Sequence, residues 1–167
     1  MCSMENIVLI GMPGCGKSTV GVILAKTLGV DFLDTDLVIQ KREGALLQEI
    51  LNARGMEAFL DAEEAAVLSL SCTETVIATG GSVVYRPAGM ARLKSLGRVV
   101  YLRLPYEEMM ARLSNIKTRG IAIAPGKTMA DVYAERVPLY ERYADIVLDC
   151  AGLTVEETVT LAAGRLL

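Results

Sequence analysis

The residues with the clearest chemical potential stand near the start of the chain, in the segment 11–19, which reads GMPGCGKST. This segment matches the pattern G-x-x-x-x-G-K-S/T, in which glycines let backbone N–H groups approach a phosphate closely. In this pattern Lys17 brings a cation to the β- and γ-phosphates, and the Ser18 hydroxyl is a ligand for Mg²⁺. The segment therefore predicts a phosphate-binding loop. The alternative is an ordinary glycine-rich turn between a strand and a helix.

The sequence on either side of the loop favours phosphate binding. Residues 6–10 (NIVLI) form a short apolar run that is typical of a buried parallel strand. After the loop, apolar residues recur at helical spacing, and Gly29 stands where a helix C-cap is expected. Strand, loop and helix thus follow in the order that a phosphate site requires, because the N-terminus of the helix attracts an anion.

Two carboxylates follow the second predicted strand, which covers residues 31–33. At a strand end, Asp34 and Asp36 can face the same cleft with different roles. One can hold Mg²⁺ directly or through water beside Ser18, and the other can accept a proton from an alcohol. The alternative is that they are a helix N-cap and a first-turn acid, which are frequent positions for aspartate.

Two further segments are candidates for substrate contact. Gly80 and Gly81 end the third predicted strand, 75–79, where they would let a substrate approach the backbone, although a tight turn explains them equally well. The basic segment 117–120 (KTRG) resembles a loop that closes over a nucleotide and brings an arginine to the phosphate; the alternative is a solvated surface loop.

Composition excludes several classes of function. The 167 residues include no histidine, which removes histidine bases and most zinc sites and leaves acid–base work to Asp, Glu or Lys. The net charge of −3 and the dispersed basic residues do not indicate a nucleic-acid partner. No apolar stretch could span a bilayer, and no signal segment precedes the first strand, so we expect a cytoplasmic protein. The four cysteines show no zinc spacing and should be reduced thiols.

The remaining chain alternates strands with helices and shows no hairpin signals, repeats or linkers. This pattern predicts one α/β domain over residues 1–167, with a five-stranded parallel sheet covered by helices on both faces. Further strands are expected at 98–102 and 145–148. Residues 115–127 lack a period and should form a loop, and Pro138 should kink or interrupt the helix expected over 128–143. Ligands of such folds bind at the carboxyl ends of the strands, where the loop, the aspartates and the glycine pair would meet.

This arrangement resembles the shikimate kinase family, which are small P-loop kinases, over nearly the whole chain. The resemblance is carried by GMPGCGKST at 11–19, FLDTD at 32–36, ATGGSV at 78–83, the Arg119 loop and ERVPLYERYAD at 135–145. It implies a P-loop NTPase-like fold with a mobile lid at about 115–127. It also implies ATP and Mg²⁺ as cosubstrate and cofactor, and phosphorylation of a ring hydroxyl of a small hydroxy acid in aromatic amino-acid biosynthesis. We expect a monomer.

The resemblance also implies roles for individual residues. Lys17, Asp36 and Arg119 would be catalytic, with Asp36 as the base for the acceptor hydroxyl. Ser18 and Asp34 would serve Mg²⁺. The expected contacts of ATP are Gly14, Cys15, Gly16, Lys17, Ser18, Thr19, the lid arginine Arg119, and Arg112 against adenine. The expected contacts of the acceptor are Asp36, Gly80, Gly81, and Arg136, which would pair with its carboxylate.

The chain departs from the family pattern in the acceptor half. Leu60 stands where the family usually has an arginine that helps to bind the acceptor carboxylate, and Ser82 replaces a third glycine. We therefore expect Leu60→Arg to lower the KM for shikimate. Two alternatives remain: a related enzyme that phosphorylates a different small alcohol, and a nucleotide-binding protein without phosphotransfer. The intact set Lys17, Ser18, Asp34 and Asp36 argues against the second alternative.

Overall fold

Five parallel strands form one sheet in the computed structural model, which describes residues 5–114 and 121–167. The strands are β1 (Asn6–Ile10), β2 (Asp31–Asp34), β3 (Thr75–Ala78), β4 (Gly97–Arg103) and β5 (Ile146–Asp149). Their order across the sheet is β2-β3-β1-β4-β5, and every neighbouring pair is parallel. This confirms the predicted five-stranded parallel sheet. Because β2, β3 and β1 are adjacent, the loops that follow them meet at one edge.

Helices connect the strands and cover the sheet. They are α1 (Lys17–Leu28), α2 (Thr35–Glu43), α3 (Leu47–Leu68), α4 (Pro87–Leu96), α5 (Tyr106–Leu113), α6 (Met129–Tyr143) and α7 (Val155–Leu166), with a short 3₁₀ turn at Val83–Tyr85. Every residue of β1 and of β3 is buried. Since successive side chains of a strand point to opposite faces, both faces of the sheet centre are covered.

Sequence signals at the helix ends mostly match the structure. Gly29 ends α1 in the left-handed conformation, with φ 71°, as a C-cap glycine does. Thr154 and Glu157 form the predicted capping box at the start of α7. In α3, Gly55 has a non-helical backbone with φ 85° and ψ 178°, so that element consists of two helical segments joined at the glycine.

Pro138 does not interrupt α6, so the predicted interruption is absent; a kink at this position stays a prediction. The helix is assigned without a break from Met129 to Tyr143. A proline removes one helical N–H, but tertiary packing supplies most of the stability of a helix in a folded protein. Here Val132, Arg136 and Tyr140 are buried along one face of α6. The missing hydrogen bond is therefore tolerated.

The predicted lid falls partly outside the described residues. Residues 115–120, which include Lys117 and Arg119, are not described; residues 121–127 form a connection without helix or strand. Within this connection Ala122 is buried. No helix in the described ranges has the length and apolar character needed to cross a membrane.

Candidate active site

One cavity lies at the carboxyl edge of the sheet, where the loops after β1, β2 and β3 meet. Its walls enclose about 500 Å³, including the part that is open to solvent. It is lined by Pro13, Lys17, Ser18, Asp36, Leu47, Phe59, Glu63, Thr79, Gly80, Gly81, Ser82, Ile121, Ala122 and Arg136. The structure thus brings the phosphate-loop lysine and serine, the second aspartate, both predicted glycines and the predicted arginine to a single site.

The phosphate loop has the backbone geometry that its glycines predict. Gly14 and Gly16 have φ values of 82° and 88°, in the left-handed region that favours glycine. Gly16 is also the N-cap of α1, and no side chain caps that helix. The first N–H groups of a helix have no intrahelical acceptor, so an uncapped N-terminus is suited to bind an anion. Thr19 lies exposed in the first turn of α1.

Lys17 is held against the loop that precedes it. Its side chain is buried, and Nζ donates hydrogen bonds to the carbonyl oxygens of Gly11 at 2.7 Å and Met12 at 2.9 Å. The Cys15 Sγ lies 3.6 Å from Nζ and is the third acceptor in reach. Because sulfur is a weak acceptor, the third hydrogen of this ammonium can turn to a phosphate oxygen. Cys15 is itself buried, as expected of a small residue that fills the loop.

Ser18, which lines the cavity, is joined by a hydrogen bond to Asp34, which does not line it. The Ser18 hydroxyl donates to Asp34 Oδ2 at 2.9 Å, and Asp34 Oδ1 accepts from the backbone N–H of Asp36 at 2.9 Å. Asp34 is therefore the N-cap of α2, and Asp36 lies in the first turn. Capping uses only one carboxylate oxygen of Asp34, and the other oxygen remains directed to Ser18. A hydroxyl and a carboxylate oxygen are a donor set that suits Mg²⁺.

The two glycines after β3 are packed too closely for side chains. A Cβ on Gly80 would lie 2.9 Å from Glu63 Oε2 and 3.1 Å from Asp36 Oδ1. A Cβ on Gly81 would lie 2.9 Å from both Arg136 Nη1 and Pro13 Cδ. These separations are below ordinary van der Waals contact. Because these two positions lack side chains, the carboxylates of Asp36 and Glu63 and the guanidinium of Arg136 remain accessible to a ligand in the cavity.

Glu63 is a buried carboxyl in the wall of this cavity. Its side chain is 2% exposed, Oε1 accepts a hydrogen bond from Ser82 Oγ at 2.8 Å, and Oε2 has no hydrogen-bond partner among the described residues. The pKa of Glu63 is raised to about 7, chiefly by burial and also by the nearby Asp36, although Ser82, Arg136 and Lys17 act to lower it. Glu63 is thus partly protonated near neutral pH.

Arg136 is 1% exposed and is fixed by three contacts with two residues, Tyr85 and Ala122. Nε donates to the Tyr85 hydroxyl at 3.0 Å, and Nη2 donates to the Ala122 carbonyl oxygen. Cζ also lies 5.0 Å from the centre of the Tyr85 ring, within the range of a cation–π contact. Arg136 is the only arginine that lines the cavity within residues 5–114 and 121–167.

Arg112 of α5 lies on the far side of the phosphate loop. Its guanidinium donates weakly to the carbonyl oxygens of Cys15 and Leu153, both at 3.4 Å. It is therefore next to the loop, as the nucleotide role requires, and its contact with adenine stays a prediction. The catalytic role predicted for Arg119 concerns a residue outside the described ranges.

Leu60 does not lie where the sequence reasoning placed it. It is absent from the lining of the cavity that holds Asp36 and Arg136, and it lines a neighbouring one with Tyr85 and Arg86. Leu60 belongs to a buried apolar cluster that also includes Phe59 and Ala122, against which Tyr85 packs. Position 60 therefore lies beside Tyr85. The ring of Tyr85 in turn stands beside Arg136.

Sequence reasoning missed two contacts in this site. The bond from Ser82 to Glu63 joins residues nineteen positions apart, and Tyr85 contacts Arg136 from fifty-one positions away. Tyr85 ends a 3₁₀ turn whose sequence carries no motif. The replacement of a third glycine by Ser82 was visible in the sequence, but its partner was not.

Comparison with known proteins agrees with this geometry. Residues 13–165 match the family model described as shikimate kinase. The chain belongs to the shikimate kinase family. Members that resemble it include the shikimate kinase of Thermodesulfovibrio yellowstonii, which is 41% identical over 157 residues and is matched over 92% of this chain and 90% of its own. The shikimate kinase of Pseudomonas fluorescens is 40% identical over 149 residues, which are 87% of each chain.

A solved structure extends the family likeness to three dimensions. The shikimate kinase of Acinetobacter baumannii, determined in complex with shikimate, superposes with a TM-score of 0.89 at 30% identity. The match covers 97% of this chain and 92% of that one. The P-loop NTPase-like fold predicted from the sequence is confirmed by this likeness.

Proposed function

We propose that this protein transfers the γ-phosphate of ATP to a hydroxyl group of shikimate, a step of aromatic amino-acid biosynthesis. The observation that carries the proposal is a single cavity lined by a phosphate-loop lysine, a carboxylate and a guanidinium: Lys17, Asp36 and Arg136. A kinase for a hydroxy acid needs these groups, one for the transferred phosphate, one for the hydroxyl and one for the carboxylate. Family membership supports the same acceptor.

The residues of the cavity suggest how the transfer proceeds. The acceptor hydroxyl oxygen attacks the γ-phosphorus and forms the new P–O bond. The bond from this phosphorus to the β–γ bridging oxygen breaks, and ADP leaves with its electron pair. The hydroxyl proton passes to the Asp36 carboxylate. Lys17 and the N-terminus of α1 stabilise the negative charge on the phosphates.

Ser18 and Asp34 would hold the Mg²⁺ ion that accompanies ATP. Their oxygens are 2.9 Å apart and include one carboxylate, and Mg²⁺ keeps the rest of its ligands as water and phosphate oxygens. When bound, the ion neutralises charge on the β- and γ-phosphates. The protein groups orient it through the N-cap bond from the Asp36 N–H to Asp34.

Arg136 would position the acceptor through its carboxylate. Gly80 and Gly81 would let the ring approach the cavity wall, since neither has room for a Cβ. A carboxylate held by Arg136 and a hydroxyl held by Asp36 fix both ends of a small ring. Such two-point attachment favours the in-line geometry that phosphoryl transfer requires.

An ADP-release assay tests the proposal. The protein is given ATP, Mg²⁺ and one acceptor at a time: shikimate, quinate or another small hydroxy acid. We expect ADP formation that depends on shikimate and on Mg²⁺. No acceptor-dependent ADP with any compound would contradict the proposal and favour a nucleotide-binding protein without phosphotransfer.

A second candidate acceptor is a small alcohol with less negative charge. The observation that favours it is the single guanidinium, Arg136, of the described cavity lining, with apolar Leu60 at the position of the family's second arginine. One bidentate pair fewer would weaken carboxylate binding by about 1.5–3 kcal/mol. ADP release with a non-carboxylated alcohol, and none with shikimate, would identify this function.

A further inference from the structure

Two of the N–H groups of Arg136 are occupied by hydrogen bonds to neighbouring groups of the protein. A guanidinium has five N–H groups. Its Nε–H points to the Tyr85 hydroxyl, and one Nη2–H points to the Ala122 carbonyl oxygen. The terminal edge consists of Nη1 and the other hydrogen of Nη2, and the Tyr140 hydroxyl lies near the same guanidinium. Nη1 is the atom that a Cβ on Gly81 would approach to 2.9 Å, so this remaining edge lies along the cavity.

Tyr85 fixes this orientation from two directions. Its hydroxyl accepts from Arg136 Nε at 3.0 Å, and its ring centre lies 5.0 Å from Cζ. The ring itself is packed against the buried cluster that contains Leu60 and Phe59. A rotation of the guanidinium about the Cδ–Nε bond, or a swing of the side chain away from the cavity, would therefore break contacts with a side chain that is packed against the core.

The hydroxyl of Tyr85 lies beside a pair of ions that line the same small cavity. Lys127, and to a smaller extent Tyr85, lower the pKa of Glu135. Lys127 and Glu135 form an ion pair. The negative charge of Glu135 beside the Tyr85 hydroxyl favours an orientation in which the hydroxyl oxygen accepts from Arg136 Nε. The chain of contacts thus runs from Lys127 through Glu135 and Tyr85 to Arg136.

We infer that Tyr85 is a positioning residue for acceptor recognition, which holds the terminal Nη1–Nη2 edge of Arg136 toward the acceptor carboxylate. The inference rests on the proposed function, since it takes the acceptor to carry a carboxylate. It explains how one guanidinium binds that group where position 60 offers only an apolar side chain. Preorganisation removes the cost of ordering a long side chain at the moment of binding.

Tyr85→Phe tests this role, because it removes the hydroxyl and keeps the ring. We expect the KM for shikimate to rise about tenfold, the size of one charge-assisted hydrogen bond, with kcat and the KM for ATP changed less than about twofold. The matched control is Tyr133→Phe. Tyr133 is partly buried against the main hydrophobic core. Its hydroxyl donates to the Leu104 carbonyl oxygen at 2.9 Å and not to Arg136. This control should keep the wild-type KM for shikimate.

A second substrate separates positioning from general damage to the fold. The methyl ester of shikimate keeps the ring hydroxyls and lacks the carboxylate charge. We expect Tyr85→Phe to raise the KM of the acid about tenfold and to leave the KM of the ester within about twofold of the wild-type value. An equal loss for acid and ester, or an unchanged KM for both, would overturn the inference. Wild-type protein that releases no ADP with shikimate would instead contradict the proposed function.

Discussion

Ser82 Oγ donates a 2.8 Å hydrogen bond to Oε1 of Glu63, and this hydroxyl is the only hydrogen-bond partner recorded for that carboxyl in the described residues. The direct partner of this carboxyl is thus a neutral hydroxyl, and the cations Arg136 and Lys17 act on it only at longer range. Burial then dominates, and the pKa of Glu63 rises from 4.5 to about 7.

The raised pKa of Glu63 predicts that the free energy of unfolding decreases as pH rises. Between pH 4.5 and 7 the unfolded chain has released the Glu63 proton, whereas the folded chain still holds it. The unfolded state thus binds fewer protons, so the free energy of unfolding decreases as pH rises through this window, by about 3 kcal/mol from this group. Above pH 7 the contribution is constant.

Glu63→Gln should remove this pH dependence, because an amide does not ionise. We expect the free energy of unfolding of the variant, relative to the wild type, to increase from pH 4.5 to pH 7, as measured by urea denaturation at several pH values. Glu64→Gln is the matched control; Glu64 is the next residue in α3 and does not line the cavity. Parallel curves for the wild type and Glu63→Gln would show that Glu63 does not hold its proton.

Asp36→Asn should abolish turnover while ATP affinity is largely kept. The variant retains the size of the side chain and the position in the first turn of α2 but cannot take the hydroxyl proton, and loss of a general base costs roughly 10²–10⁴-fold in kcat. Steady-state ADP release measures kcat, and equilibrium titration measures ATP affinity. Asp31→Asn, at the opposite end of β2 and exposed, is the control. An unchanged kcat for Asp36→Asn would exclude Asp36 as the base.

The sequence was sufficient for the parts of the site that depend on local motifs. Strand, phosphate loop and helix follow one another within 6–28, and the two aspartates lie at and just after the end of β2, so the carboxyl-edge rule placed them together. Contacts between distant segments were not visible. Tyr85 reaches Arg136 through the packing of a 3₁₀ turn against α6, and position 60 faces Tyr85 because of the helical phase of α3 after Gly55. Such relationships depend on tertiary packing, which no single sequence motif encodes.

Gly81→Ala should impair acceptor binding. The new Cβ would lie 2.9 Å from Arg136 Nη1 and from Pro13 Cδ, and neither group is free to move because Arg136 is anchored and Pro13 is a ring. We expect the KM for shikimate to rise about tenfold or more, because a displacement of about 1 Å at a positioned group has large kinetic effects.

The control for this variant is Gly89→Ala in α4. There the nearest atom to an added Cβ is Val67 Cγ1 at 3.9 Å, an ordinary contact. Alanine in a helix is favoured over glycine by about 0.5–1 kcal/mol, so thermal unfolding should show equal or higher stability with unchanged kinetics. If Gly81→Ala kept the wild-type KM, the close approach of the cavity wall would not matter for the acceptor.

Leu60→Arg is the substitution for which the structure reverses the expectation from the sequence. The family pattern predicts that an arginine at 60 lowers the KM for shikimate. In the structure, position 60 opens onto a cavity that also holds the carboxylates of Glu57 and Glu135 and is flanked by Tyr85. An arginine there would lie among these carboxylates, which already pair with Arg86 and Lys127, and beside the Tyr85 ring that contacts Arg136.

We therefore expect Leu60→Arg to leave the KM for shikimate within about twofold of the wild-type value. We also expect a lower free energy of unfolding, because Leu60 is 6% exposed within an apolar cluster and a buried charge is costly. Leu60→Met, which keeps the apolar character, is the control for both measurements. A KM lowered fivefold or more by arginine and unchanged by methionine would show that position 60 reaches the acceptor carboxylate, and Tyr85 would then have to move aside in the complex.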